Sequence, residues 1–336
     1  MHIGFSLLDL AMGGAQTFFV QLAQGLATRG HAISYWLAAD ANDVQHIYPP
    51  LKTALDDVVR PVQHPWDLWK ADVIHLDGYH NLWRKLPYLP HWQRCVETYH
   101  STYSVQRAGP LYPPHRVAVS RAVQQQLRLP AHLVYQGIPF HSLPAVADKR
   151  FEVAILGRIH PVKNHRLFLR ICAELYRQRG ACSALLIGGH PKPSPYQQAI
   201  DAEIARLRAL GVDIHLAGDV PADSLWTRLV QAHILLVTSH TEGFGRMAVE
   251  AMAAGLPVIA NPVGGLVEIV QHGETGFLVK QDDVESFVTA TIHLLDNPGL
   301  RRSLAERGRA VVAARFSLES MLEAYESLYR SVITRG

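Results

Sequence analysis

The feature that most constrains this 336-residue chain is a repeated change of hydrophobic period, from short apolar runs to segments whose apolar residues recur every three or four positions. Residues 3–7 form an apolar run, Gly13-Gly14 makes a turn, and Ala15, Phe18, Phe19, Leu22, Ala23 and Leu26 then follow helical spacing. Gly30 sits where a helix closes in a left-handed residue, and the β-rich run 32–37 comes straight after it. Further strands are expected at 72–76, 94–98, 116–119 and 132–135, with a helix over 120–128. Strand and helix patterns in alternation predict a parallel sheet. The periodicity breaks at 138–150, where two prolines and a polar cluster mark a linker. It then restarts with a strand at 153–157 and a helix presenting Phe168, Ile171, Cys172 and Leu175 on one face. Strands at 183–187, 213–216, 233–237 and 257–260 follow, separated by helices at 196–210, 223–231 and 246–254. The expectation is an α/β chain of two tandem parallel-sheet domains, 1–142 and 151–315, each large enough to bury its own core. Ligands of open α/β sheets lie beyond the carboxyl ends of the strands, so function belongs on the loops after residues 7, 76, 98, 157, 187, 238 and 260.

The hydrophobic fraction of 48%, with 18% charged residues, is that of a folded globular chain. Its longest apolar stretches, 232–238 and 251–260, fall short of the roughly 20 residues a membrane-spanning helix requires. Residues 1–8 have no basic region and Asp9 interrupts the apolar run, so no cleaved leader and a cytoplasmic location are expected. Cys95, Cys172 and Cys182 are odd in number and form no C-x-x-C pair, which predicts free, mostly buried thiols. A formal charge of +3 gives no argument for nucleic acid, although 19 histidines make the chain more cationic under acidic conditions.

Two segments carry the chemistry. After the 153–157 strand, G-R-I-H-P-V-K-N puts Arg158 and Lys163 on one strand-to-helix loop, where a planar fork and a compact point charge together suit a diphosphate. From spacing alone they are equally two solvated surface cations. After the 233–237 strand, Glu242 and Glu250 bracket a glycine turn, Gly243-Phe244-Gly245, and a helix that starts near Arg246 and Met247. The glycines let backbone approach a ligand closely, and the helix end offers free N–H groups and a positive dipole to phosphate without a metal. Glu242 is a good acceptor for sugar hydroxyls and Glu250 for those of a ribose. Taken without its flanks, Glu250 reads as a solvated helix residue.

These residues resemble the family 4 retaining glycosyltransferases, a GT-B group whose signature is E-x7-E within E-G-F-G…E-A-M-A…G-x-P-V. The likeness is almost verbatim over 241–279 and extends to G-G-A-Q at 13–16, D-V-I-H at 72–75, V-S-R-A-V at 119–123 and G-R-x4-K-N at 157–164. It implies two Rossmann-like domains facing each other across a cleft that closes over the donor, with a last helix over 316–334 crossing back to the first domain. It implies that Arg158 and Lys163 grip a donor diphosphate, Glu242 contacts the transferred sugar and Glu250 the ribose. Gly13, Gly14, Gly157, Gly243, Phe244, Gly245, Arg246 and Met247 complete the donor-binding set. Gly13 and Gly14 read equally as a turn before a helix. Arg246 replaces the apolar residue usual in the family, giving either an extra phosphate contact or a solvent-facing charge. His100, in E-T-Y-H-S-T-Y, stands where similar enzymes place a histidine at the donor sugar.

The expected donor is a nucleotide sugar, with uracil the base by analogy and GDP- and ADP-sugars using the same framework; no cofactor is expected. The acceptor is expected to be a glycan, a lipid-linked molecule or a small molecule. No metal is expected, since His75, Asp77 and His80 have no recognised ligand spacing. Trp66, Trp69, Trp83 and Trp92, with Arg84 and Lys85, read either as core or as an aromatic and basic surface for a membrane-borne acceptor at the inner face of the membrane. A nicotinamide oxidoreductase lacks its G-x-G-x-x-G turn here. An epimerase or phosphorylase on the same scaffold, and a nucleotide-sugar-binding module without turnover, are the alternatives.

Overall fold

The computed structural model describes residues 1–11, 13–38, 47–78, 82–107, 111–140, 149–189 and 194–335. In chain order the first elements are β1 (His2–Leu7), α1 (Gly14–Thr28), β2 (Ala32–Leu37), α2 (Pro49–Asp56), β3 (Arg60–Pro61), β4 (Val73–Asp77), α3 (Leu82–Lys85), β5 (Cys95–Tyr99), α4 (Thr102–Arg107), β6 (His115–Ala118), α5 (Arg121–Leu127) and β7 (His132–Leu133). There follow β8 (Phe151–Leu156), α6 (His165–Arg179), β9 (Ser183–Ile187), α7 (Pro195–Ala209), β10 (Asp213–Gly218), α8 (Ala222–Leu229), β11 (Ala232–Val237), α9 (Arg246–Ala253), β12 (Val258–Ala260), α10 (Leu266–Ile269), β13 (Gly276–Leu278), α11 (Val284–Asp296), α12 (Pro298–Arg315) and α13 (Leu318–Arg335). Two compact units result: Met1–Pro139 with Phe316–Gly336, and Phe140–Arg315. Most of the 138–150 linker lies outside the described residues.

Each unit is a parallel sheet with helices, as the alternating periodicity requires. The strand orders are β3-β2-β1-β4-β5-β6-β7 and β10-β9-β8-β11-β12-β13. In both, the order reverses beside the first strand, at β1/β4 and at β8/β11, which are the switch points where α/β sheets bind ligands. The strand expected at 132–135 stops at Leu133, because the chain then turns so that Ile138 can bridge to Ser317. Gly30 follows the carboxyl end of α1 with φ +83°, the left-handed conformation that glycine adopts without steric cost.

The core of the first unit joins both ends of the chain. Phe18, Phe19, Leu22 and Leu26 of α1 pack with Met321, Leu322, Tyr325, Tyr329 and Val332 of α13. A side chain at Gly25 would meet Leu322 at 2.5 Å, so the two helices approach through a glycine. At about 1.5–3 kcal/mol for each large apolar side chain removed from water, α13 is a principal stabiliser of this unit.

Several polar groups lie inside buried strands. His75 on β4 is within 2.6 Å of the Tyr329 hydroxyl at Nδ1 and 2.8 Å of Thr98 Oγ1 at Nε2, and burial holds its pKa well below the usual imidazole range. Both ring nitrogens are thus occupied by hydroxyls, which makes His75 a core cross-link and removes it from the metal-ligand reading; His80 lies outside the described residues. On β5, the two carboxylate oxygens of Glu97 lie 2.7 and 2.9 Å from Lys85 Nζ, and the Tyr99 hydroxyl also donates to Glu97. Lys85 donates further to the Leu111 carbonyl at 3.0 Å. Burial pushes the Glu97 carboxyl up to about 7 even against the Lys85 charge. Lys85 is therefore interior, and not part of a basic surface. Cys95, Cys172 and Cys182 are free and buried.

Candidate active site

β8 and β11 pair in parallel (Val153 with Ile234), so the loops leaving their carboxyl ends meet. The β8 loop passes through Gly157 (φ +143°) and Arg158, makes one 3-10 turn at Pro161–Lys163, and enters α6 through Asn164. Asn164 adopts φ +52° and caps the helix by accepting from the Leu167 N–H. Hydrogen bonds tie this loop to the β11 loop. Thr238 Oγ1 donates to the Lys163 carbonyl at 2.9 Å, the His240 N–H to the Val162 carbonyl at 2.9 Å, and Lys163 Nζ to Glu242 Oε1 at 2.5 Å. Lys163 Nζ is also 3.8 Å from Met247 Sδ, and its stem lies over Gly157, where a Cβ would approach Lys163 Cε to 3.3 Å.

The turn carrying Glu242 is held by glycines that no other residue can replace. Gly264 has φ +54°, and a Cβ there would stand 1.6 Å from the Glu242 carbonyl oxygen; at Gly265 it would stand 2.2 Å from that of Phe244. Buried Asn261 donates to the Thr238 and Ser239 carbonyls, at 3.0 Å each. Gly245 (φ +105°) then opens α9 with no side-chain cap and no acidic residue in the first turn. That helix end is a ready anion site.

Across the first turns of α9, Arg246 Nε donates to Glu250 Oε1 at 2.8 Å, with the two side chains 10% and 13% exposed. Burial raises the Glu250 carboxyl, while the charges of Arg246 and Lys163 pull it down. Neither side chain is solvent-facing: i, i+4 spacing places the two on one face of α9, and the packing over that face buries them as a pair. Arg158 remains exposed, and its guanidinium has no hydrogen bond to any described residue. Lys163, Glu242, Arg246, Met247 and Glu250 are brought together, with Gly157, Gly243, Phe244 and Gly245 supplying backbone around them.

Gly13, Gly14 and His100 belong to the first unit. Gly13 caps α1 in extended backbone with no side-chain cap, and Gln16, bonded to Asp9 Oδ1 at 2.7 Å, lies beneath it. His100 follows β5, packed edge-on to Phe18 and Phe19 at 4.8 and 5.3 Å between centroids, and burial lowers its pKa to about 3. Residues that periodicity did not single out also support these loops. His165, fully buried at the start of α6, is held near 4 by burial and then by Lys163, and Asn261 and Gln136 bear on the β11 and β5 loops. Their signal in the sequence is only a polar residue one to three positions past a strand or cap.

Switch-point loops of this kind in two Rossmann-like sheets define the GT-B class, and solved structures agree in fold. HepE from Anabaena, solved with UDP, superposes with a TM-score of 0.80 at 19% identity, covering 98% of this chain and 100% of that one. Sucrose-phosphate synthase from Thermosynechococcus elongatus gives 0.79 at 21% identity, with 100% of each chain covered. The family model described as glycosyl transferases group 1 matches residues 142–311, and the chain belongs to that family. Among curated relatives, the D-inositol 3-phosphate glycosyltransferase of Acidothermus cellulolyticus is 35% identical over 191 residues, covering 54% of this chain and 41% of the relative. The lipopolysaccharide core biosynthesis mannosyltransferase LpcC of Rhizobium leguminosarum bv. viciae is 28% identical over 221 residues, covering 66% and 60%. The chain spans about half the length, or less, of the first curated relatives it matches, at 41%, 29% and 55%.

Proposed function

We propose that the chain is a retaining, metal-independent glycosyltransferase that moves a hexosyl group from a nucleoside diphosphate sugar to a glycan, lipid-linked or small-molecule acceptor. The observation that carries this reading is the convergence of Lys163, Glu242 and the uncapped start of α9 on one switch point. As the anomeric carbon–oxygen bond breaks, negative charge grows on the departing phosphate, and an ammonium and a helix end stabilise it there. Glu242 and Glu250 are each paired to a cation, which makes them poor nucleophiles and good acceptors for sugar and ribose hydroxyls. The acceptor hydroxyl therefore attacks the face the leaving group vacates and passes its proton to a donor phosphate oxygen, with retention. A uridine donor is preferred because the HepE structures hold UDP and UDP-glucose.

Ligands that bind only the folded chain raise its stability, by about 2.7 kcal/mol at a hundredfold excess over Kd. Thermal unfolding is expected to shift upward with UDP and UDP-glucose more than with GDP or ADP. No shift with any nucleoside diphosphate or its sugar would overturn the reading. Product anomer analysis by NMR tests retention.

A peripheral contact of this cytoplasmic enzyme with an anionic membrane fits the first unit's surface. Five of the twelve exposed large apolar side chains among the described residues are Trp66, Trp69, Trp83, Leu86 and Leu89, with Trp83 the most exposed at 75%. Trp83, Leu86 and Leu89 recur every third residue along α3 and the 3-10 segment after it, spacing that lines side chains up on one edge. Trp69 Nε1 donates to the Pro87 carbonyl at 2.9 Å, joining the two tryptophan segments, and exposed Lys70 adds positive charge. Trp92 is the exception, half-buried against Leu68, Ile74 and Tyr88. The chain is expected to float with phosphatidylglycerol vesicles and to lose that retention in Trp66→Ser/Trp83→Ser. Equal retention on neutral and anionic vesicles would count against it.

A further inference from the structure

The His100 ring has one nitrogen accounted for and one left over. Gln136 Nε2 lies 3.0 Å from His100 Nδ1. An amide nitrogen has no acceptor capacity, so Gln136 donates and Nδ1 accepts. A neutral ring that accepts at Nδ1 carries its proton at Nε2. His100 Nε2 is buried and has no hydrogen-bond partner among the described residues. An N–H donor left so is costly, and a phenylalanine in this aromatic surround of Phe18 and Phe19 would avoid that cost. His75, the neighbouring ring, has both nitrogens engaged elsewhere. Both His100 and the Gly13 turn follow the carboxyl ends of strands, β5 and β1, at the same edge of one sheet.

We propose that Gln136 is a positioning residue: its amide fixes the Nε2–H form of His100, so that the ring serves as a hydrogen-bond donor to an oxygen of the bound sugar nucleotide and never as a proton acceptor. The identity of that oxygen rests on the transferase reading, whereas the proton's place on the ring is a property of the free chain and is tested without ligand.

In the full chain with nitrogen-15-labelled histidine, long-range proton–nitrogen correlation should show the His100 signal, assigned by its loss in His100→Phe, protonated at Nε2. Gln136→Glu supplies a carboxylate that accepts from Nδ1–H, so the proton pattern should invert or double. Turnover of UDP-glucose by that variant should fall at least tenfold in kcat with a smaller change in KM. Gln136→Leu should leave a mixture of ring forms, and it serves if the glutamate variant does not fold. Adding UDP-glucose to the wild type should shift the Nε2 signal; a shift with UDP as well assigns the partner to the phosphate, and a shift with UDP-glucose alone assigns it to the sugar. A wild-type proton on Nδ1, an unchanged ring in both variants, or an inverted ring with unchanged kcat would each overturn the proposal. Failure to bind any nucleotide with the Nε2–H form intact would instead sink the transferase reading alone.

Discussion

Alanine at position 163 is expected to lower sugar transfer about 10²–10³-fold in turnover, near 3–4 kcal/mol, the scale for losing one preorganised charge-stabilising donor. In the free chain the Lys163 ammonium is answered by Glu242 at 2.5 Å. On the proposed transferase reading, a bound diphosphate would compete for the same ammonium, and the lysine would bridge carboxylate and phosphate as charge grows on the leaving group. Without it, Glu242 would face the phosphate directly, and repulsion would add to the loss. Lys163→Arg keeps the charge but presents a planar fork in place of a compact one, so intermediate activity is expected. Single-turnover assays of the alanine variant decide the matter: a drop of less than tenfold takes Lys163 out of the chemistry.

The largest stability effect is expected far from that lysine. Glu97→Leu removes the carboxylate that answers the fully buried Lys85 ammonium, and should cost about 3–5 kcal/mol in denaturant unfolding of the full chain. Lys85→Met with Glu97→Leu removes both charges and should recover most of the loss, because the desolvation penalty of the pair disappears with it. A single variant within about 1 kcal/mol of wild type would mean that water reaches the pair, against their full burial.

The architecture was readable because strand and helix periods are unmistakable in parallel α/β chains, whose buried strands run apolar from end to end. Short edge elements were not. β3 is two residues ending in Pro61, and β13 three residues inside a stretch read only as a motif. The loop residues Lys163 and Glu242 stood out because charge beside glycine after a strand is uncommon, yet their contact across 79 positions depends on sheet order, which periodicity does not specify. Arg246 and Glu250 show the converse: their i, i+4 spacing was visible, but inward or outward facing is decided by what packs over α9. His75 and Glu97 interrupt apolar strands, and sequence alone does not tell a polar cross-link in a core from a site residue. Only Tyr329, Thr98 and Lys85, distant in sequence or on another element, resolve that ambiguity.

Because α13 completes the core that α1 begins, the first unit is discontinuous along the chain. During translation, roughly the first 139 residues emerge without the helix that covers Phe18 and supplies the hydroxyl beneath His75, while residues 140–315 are contiguous. The second unit is therefore contiguous and emerges ahead of the helix that completes the first, and the leading segment waits, with its aromatic face open, for the eighteen residues of α13.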